Sequence, residues 1–300
     1  MIIGSLFSGI GGFELGLQRG LGSASVAWQV ELDPWCRQVL ARHWPDAARH
    51  DDVRAVGAHN LTPVDVLCGG FPCQDISTAG AGAGLAGARS GLWFEMLRIV
   101  NELRPKYVVA ENVAALRTRG LPVVLAGLRE AGYVSSWAII SAADLGAPHQ
   151  RRRLWIVAYR RDAEPVTVPA PGGVRDDVWP RGGDPEPWER GEPRWVNRAG
   201  ADRLPRLHAL GNAIVPQVPE LIGHAIAGRS DALTMRPAAR SKQWYTPTAH
   251  NAKENGSPAE YTIHTPTLTA QVIGDPTQRG TLSPRWVELL MGYPLDWTTP

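Results

Sequence analysis

The stretch MIIGSLFSGIGGFELGLQR, residues 1–19, decides the fold. An apolar run, Met1–Phe7, reads as a buried strand. A glycine-rich turn, Ser8–Gly11, follows it, and a helical pattern opens at Gly12–Arg19. Glycine lets the backbone turn sharply and approach a ligand, and the start of the next helix offers free N–H groups. The same order recurs downstream. Val26–Glu31, Val64–Leu67, Tyr107–Ala110, Ser135–Ile140 and Leu154–Ala158 read as strands. Pro34–His43, Leu92–Leu103 and Val113–Ala131 read as helices between them. Short apolar strands alternating with helices predict an α/β fold, a doubly wound, mostly parallel sheet covered on both faces. Ligands of such sheets bind beyond the carboxyl ends of the strands.

That rule selects the candidate chemistry. Taken alone, the Phe7–Glu14 turn suits a dinucleotide, a nucleoside cofactor or merely a tight bend. Glu31 ends the second strand, where a carboxylate can accept hydrogen bonds from ribose hydroxyls or simply face water. Asp51, Asp52 and Val53 follow the next helix and suit an adenine amino group or an ordinary polar loop. VDVLCGGFPCQ, residues 64–74, runs a buried strand into two glycines and then Pro72–Cys73 at the ligand edge. There Cys73 reads as a nucleophilic thiol or a structural loop cysteine. Cys68 reads as core and Cys36 as a helix residue without catalytic context. VVAENV, residues 108–113, ends another strand in a carboxylate, placing Glu111 on the same edge as Cys73. QRRRLW, residues 150–155, opens a strand with an Arg run, and alternation aims Arg151 and Arg153 to one side and Arg152 to the other.

Composition narrows the classes. The chain has 300 residues, a formal net charge of +2 and 20% charged residues, ordinary for a globular protein. Lys106, Lys242 and Lys253 are the only lysines among 31 basic residues, so Arg dominates. Arg suits phosphates and base edges, and codon bias explains the excess equally well. No apolar run reaches a membrane span, and the N-terminus lacks a signal-peptide pattern. Three cysteines without a CxxC pair argue against disulfide or zinc frameworks and fit a reducing, cytoplasmic setting; no metal is expected. Residues 1–161 form the expected catalytic domain, 162–203 a short Pro/Gly-rich insertion, 204–227 a return segment that completes the catalytic domain, and 228–300 a C-terminal module. A helix capped by Ser283 with Pro284 in its first turn is expected in that module.

In order, these segments resemble the cytosine-C5 DNA methyltransferase family. FSGIGGFE is similar to its S-adenosylmethionine loop, GGFPCQDIS to its nucleophile loop, ENV to its glutamate segment, QRRRLWIVA to its Arg segment and RLHALGNAIVP to its C-terminal pocket-closing segment. RSGLW, residues 89–93, is similar to the stretch after its mobile loop. The likeness covers about 1–161 and 204–226. It implies a class I, Rossmann-like methyltransferase fold with a small irregular recognition module. It further implies a cytosine flipped out of duplex DNA, attack by Cys73 on C6, and Glu111 assisting at N3. It implies that Arg153, and with it Arg151, would hold the base and help orient the site. Phe7, Gly9, Gly11, Glu31, Asp52, Val53, Pro72, Asn212 and Ala213 line the cofactor pocket. Duplex DNA, a cognate restriction endonuclease and a monomeric state are the implied partners and assembly. The rival readings are a tRNA cytosine methyltransferase, a weakly active DNA-binding relative and a nicotinamide oxidoreductase, the last leaving PCQ and ENV unexplained. Two departures stand out. The mobile-loop stretch around 79–88 is almost all Gly and Ala, where family members carry polar or basic residues. The tail WYTPTAHNAK…LSPRWVELLMGYPLDW is similar to segments that usually sit inside the recognition region, so part of that module is expected at the C-terminus. Deleting residues after about 230 is then expected to abolish sequence-specific DNA binding while cofactor binding survives.

Overall fold

A computed structural model describes residues 1–72, 91–169, 191–196, 200–229, 244–262 and 267–300. Cys73, the Gly/Ala-rich loop and most of the Pro/Gly-rich insertion lie outside them. The sheet strands are β1 (Ile2–Leu6), β2 (Ser25–Val30), β3 (Ala48–His50), β4 (Val66–Gly70), β5 (Tyr107–Val113), β6 (Tyr133–Ile140) and β7 (Arg153–Arg160). Their spatial order is β3-β2-β1-β4-β5-β7-β6. All neighbours from β3 to β5 pair in parallel, and β7 runs antiparallel to both β5 and β6. The short link between Ile140 and Arg153 explains the reversal, because a parallel return needs a crossover long enough for a helix.

Side-chain alternation along each strand divides the interior. Leu6, Leu67, Val108, Ala110, Leu154 and Ile156 face one core, which α3 (Gly91–Leu103) and α5 (Leu121–Glu130) cover. Ile3, Val66, Cys68, Val109, Trp155 and Val157 face the other, covered by α1 (Gly12–Leu21) and α7 (Gln217–Ile226). Strands buried on both faces are why these runs read as uniformly apolar. The helix expected at 113–131 is instead the end of β5, a short α4 (Leu116–Arg119) and α5. Gly120 has an extended φ of −173°, and Pro122 can begin a helix but cannot continue one. The three-residue β3 has no apolar run to announce it. Helix α2 (Pro34–His43) has the expected limits, capped by Asp33, whose carboxylate accepts from the N–H groups of Trp35 and Cys36.

A third core lies against the sheet's ligand side. It joins α2 and α6 (Arg203–Asn212) to α9 (Leu268–Ile273) and α10 (Pro284–Leu290) of the tail, through residues such as Val39, Leu210, Leu268, Trp286, Leu290 and Trp297, while α8 (Pro258–Thr262) lies outside that cluster. Ser283 stands at the N-cap position of α10 with Pro284 in the first turn, as expected, but its side chain makes no capping hydrogen bond. A two-stranded ladder, β8 (Trp195–Val196) with β9 (Thr281–Leu282), ties the insertion to the tail. Arg206 of α6 pairs at 2.9 Å with the fully buried Glu288, which also accepts the N–H of Asp296 at 2.7 Å. Trp297 stacks on His43 with ring centres 3.6 Å apart and donates its indole N–H to the carbonyl of Ile10 at 2.8 Å. The tail therefore supports the glycine turn itself, and the expectation that cofactor binding outlasts deletion of 228–300 does not fit this packing. Trp297→Ala is expected to lower unfolding free energy by about 3 kcal/mol in urea titrations. A chain truncated after Gly228 is expected to lose its cooperative transition, and an unchanged midpoint in either would contradict the tail's structural role.

Candidate active site

The turn after β1 holds three left-handed residues, Phe7 (φ 54°), Gly9 (φ 55°) and Gly11 (φ 84°). Such φ values are costly for a side-chain-bearing residue, so the turn depends on its surroundings to hold Phe7 there. The Ser8 N–H bonds to the Val30 carbonyl at 3.2 Å, and the Gly11 N–H bonds to the Ser8 carbonyl at 2.9 Å. A Cβ at Gly9 would meet nothing within 4 Å. Glycine is required there for its backbone conformation, and the space in front of it is open. Glu31, one residue beyond β2, accepts from the Gly9 N–H at 2.7 Å and the Asp33 N–H at 2.8 Å. Burial raises its pKa above the usual carboxylate value, against those hydrogen bonds.

Phe7, Gly9, Gly11 and Glu31 thus form one constellation. Asp52 and Val53 follow β3 on the next connection. The Asp52 carboxylate caps a 3-10 turn over Val53–Ala55, accepting the Arg54 N–H at 2.9 Å, while the Val53 side chain is buried. Asn212 is exposed at the end of α6 and Ala213 is buried. The following residue, Ile214, approaches both Gly12 and Gly70, so this segment abuts the glycine turn. Together the open space at Gly9, an α1 N-terminus without a side-chain cap and a strand-end carboxylate fit a nucleoside cofactor that carries an anionic group.

The second half of the site lies on β4, β5 and β7. Gly70 and Glu111 are register partners, and Glu111 Oε2 lies 3.1 Å from where a Cβ on Gly70 would sit. Glu111 pairs with Arg153 at 3.0 Å. Burial raises the Glu111 carboxyl, and Arg153 and then Arg151 pull it back. Such a carboxyl can hold or release a proton at a ring nitrogen or amine. The amide of buried Asn112 donates to the Phe71 carbonyl at 2.7 Å, which fixes the approach to Pro72. The expected nucleophile, Cys73, follows directly and lies outside the described residues.

The three arginines separate. Arg153 meets the carboxylate, and Arg152 is exposed. Arg151, with φ 28°, donates to the carbonyls of Pro247 (3.0 Å), Gly211 (3.1 Å) and Ala213, and its N–H bonds to Thr246 Oγ1 at 3.0 Å. Burial and the nearby Arg153 push its pKa down to about 9, with Glu111 opposing. The geometry gives Arg151 a positioning task rather than contact with a base. Sequence reasoning missed Thr246, Gly211, Tyr293 and Trp297, which brace the site. At Gly211 a Cβ would fall 2.1 Å from the backbone of Thr248 and Ala249, a packing constraint that the LGN of the RLHALGNAIVP segment does not announce. Tyr293 donates to the Ile214 carbonyl at 2.7 Å.

Among the described residues, no group of three His, Cys, Asp or Glu side chains is placed to hold a metal ion, and no helix is long and apolar enough to cross a membrane. Residues 1–178 match the family described as C-5 cytosine-specific DNA methylase. The Type II methyltransferase M.NlaIV of Neisseria lactamica is 32% identical over 184 residues, covering 55% of this chain and 44% of that protein. M.CviJI of Paramecium bursaria Chlorella virus IL3A is 37% identical over 165 residues, covering 54% of this chain and 44% of its own length. The chain spans less than half the length of these curated relatives. The S. pombe Dnmt2 methyltransferase shares the fold, with a TM-score of 0.56 at 16% identity, over 100% of this chain and 88% of that one.

Buried Arg151 and half-buried Arg153 should behave differently on substitution. Arg153→Met removes the nearer cation and raises the Glu111 carboxyl further. An acid whose folded pKa exceeds its unfolded value loses stability as pH rises through that interval. The melting temperature of Arg153→Met should therefore trail wild type slightly at pH 5 and increasingly toward pH 8. Arg151→Met strips a donor from three carbonyls and should cost about 3 kcal/mol at every pH. Parallel pH curves for Arg153→Met and wild type would show that the pair does not govern the carboxyl.

Proposed function

The chain belongs to the C-5 cytosine-specific DNA methylase family, and on that premise we propose that it methylates C5 of cytosine in duplex DNA. The observation that carries the reading is the Glu111–Arg153 pair, set beside Gly70 on the strand that leads to Cys73. The neighbouring Gly9–Glu31 turn fits a nucleoside cofactor, for which S-adenosylmethionine is the proposed identity. In this reading, Phe7, Gly9 and Gly11 bring the backbone to the cofactor, Glu31 accepts from its ribose hydroxyls, and Asp52 and Val53 receive its base. Pro72, Asn212 and Ala213 close the pocket. When bound, S-adenosylmethionine supplies a methyl group activated by its positive sulfur.

The protein's own residues perform the remaining chemistry. The flipped cytosine enters the edge between β4 and β5. The Cys73 thiolate adds to C6, and the C5–C6 π electrons make C5 the nucleophile that takes the methyl group. Glu111 holds a proton at N3 and accepts from the exocyclic amine, which draws charge away from the ring as sulfur adds. Arg153 keeps that carboxyl aimed and limits how far burial raises it. A base then removes the C5 proton, the double bond reforms, and Cys73 leaves C6 with its electron pair. The Type II designation of M.NlaIV and M.CviJI supports a restriction–modification setting, with a cognate endonuclease as partner. Residues 228–300 are proposed to contribute to target recognition in addition to bracing the site.

Bisulfite sequencing of DNA from cells expressing the protein should reveal protected cytosines in one sequence context, and none with Cys73→Ser. Duplex DNA containing 5-fluorocytosine should form a covalent adduct with the wild-type chain, because the C5 fluorine cannot leave as a proton. Glu111→Gln is expected to slow methyl transfer by at least about 100-fold. Labelled methyl transfer to tRNA but not to duplex DNA would overturn the DNA assignment.

A further inference from the structure

Position 14 places a glutamate in the first turn of α1, one turn below the glycine loop. A carboxylate there would ordinarily favour the helix N-terminus. Glu14, however, is fully buried. It faces a polar row that crosses the sheet, because Gln29, Ser5 and Cys68 are register partners on β2, β1 and β4. The Gln29 amide donates to Glu14 Oε1 at 3.0 Å. The Ser8 hydroxyl, inside the loop, donates to Ser5 Oγ at 2.9 Å. Two buried atoms in this cluster lack a hydrogen-bond partner, Glu14 Oε2 and Gln29 Oε1. Both are acceptors. One proton on Glu14 Oε2 meets both needs, since an acid and an amide pair through N–H···O and O–H···O bonds.

The ionisable surroundings agree. Cys68 on β4 and Tyr293 of the tail are both buried, and burial raises each above its ordinary value, which leaves them neutral. Arg49, in register with Gln29 on β3, donates to the carbonyls of Trp44 and Pro45. Arg19 lies farther along α1 with Glu220 of α7, at 3.8 Å. Among the described residues no cation pairs with Glu14, and burial raises its pKa against the hydrogen bonds of its own backbone, Gln29, Ser5 and Ser8, which favour the charged form. The positive end of α1 would favour a negative charge at this point, but that charge would offset the helix dipole and repel an anionic cofactor group bound there.

We propose that Glu14 is carried as the neutral acid in a cyclic acid–amide pair with Gln29. The pair is a positioning device that seats the Ser8–Gly9 turn and keeps the start of α1 free of negative charge for the cofactor. The proposal rests on the cofactor assignment made above.

The test uses the full chain as wild type, Glu14→Gln and Glu14→Ala. Each is melted without ligand from pH 5 to 8 and titrated calorimetrically with S-adenosylmethionine. A raised folded pKa means that wild type loses stability as pH climbs, whereas an amide cannot titrate. Glu14→Gln should therefore gain on wild type by about 2–4 °C between pH 5 and pH 8. It should bind S-adenosylmethionine within about threefold of wild type, and Glu14→Ala about tenfold more weakly. A Glu14→Gln chain that melts below wild type by the same margin at every pH, or one that folds and binds more than about tenfold more weakly, overturns the proposal. If the variant fails to fold, the 13C carboxyl resonance of Glu14 in the wild-type chain decides: a neutral shift retained at pH 7 supports the pair, and an ionised shift at pH 6 overturns it. A wild-type chain that binds no S-adenosylmethionine overturns the cofactor assignment and the turn's part in it, while the melting comparison still decides the charge on Glu14.

Discussion

The guanidinium of Arg151 holds the site together. It reaches from the start of β7 to carbonyls in the segment after α6 and in the tail, and the backbone on either side of it is held by Thr246 and by the β5–β7 ladder. Three stretches far apart in sequence, around residues 151, 211–213 and 246–247, meet at one side chain. A planar group with five donors can satisfy diverging carbonyls, and an ammonium on a flexible stem cannot match that geometry. The cost is a buried cation, visible in a pKa pushed down to about 9. In return the carbonyl-rich ends of α6 and the tail stay in register with the sheet. Glu111 and Arg153 can then meet at 3.0 Å without having to organise the backbone themselves.

The reversal of β7 makes this arrangement possible. In a parallel strand the Arg run would open at the amino edge, opposite the glycine turn. Running antiparallel, β7 begins where β5 ends, so Val113 faces Arg153 and Glu111 lies two residues inside. The carboxyl edge then receives side chains from both the ends of parallel strands and the beginning of the reversed one. The third core completes the edge from outside. Trp297 and Tyr293 bond to the carbonyls of Ile10 and Ile214, so the glycine turn is braced by residues nearly 290 positions away. A left-handed Phe7 is stable only in such an over-determined setting.

Much of this was legible from residues alone, and the reasons differ by element. Strands such as Val66–Gly70 and Arg153–Arg160 are buried on both faces, so they appear as continuous apolar runs ending in Gly or beginning in Arg. Their edge residues were therefore placed at the ligand side from pattern alone. The Pro34 start of α2 was legible because a proline opening a helix is a local signal, while the Asp33 cap emerged only from the structure. The helix drawn through 113–131 failed because apolar spacing continues across Gly120 while the backbone does not. β3 escaped because three polar-flanked residues show no period. Arg151 and Arg153 looked equivalent by alternation, yet the left-handed backbone at Arg151 takes it out of that alternation. The braces at Thr246, Gly211, Tyr293 and Trp297 were invisible because their partners are carbonyls or backbone distant in sequence, which no local window contains.

The carboxyls around the site show how one fold gives one functional group different surroundings. Burial raises Glu14, Glu31 and Glu111 alike. What separates them is the partner each retains. Glu31 accepts two backbone N–H groups, which favour the ionised form and suit an acceptor of hydroxyl hydrogens. Glu111 has a guanidinium beside it, so its proton affinity is set by a balance of desolvation against charge, as the proposed proton exchange with a ring nitrogen would require. Glu14 has an amide and hydroxyls but no cation, which favours the acid form. The ordering follows from donors and charges supplied by neighbouring strands. Strand register across β2, β1, β4 and β5 therefore sets the proton inventory of the site before any ligand arrives.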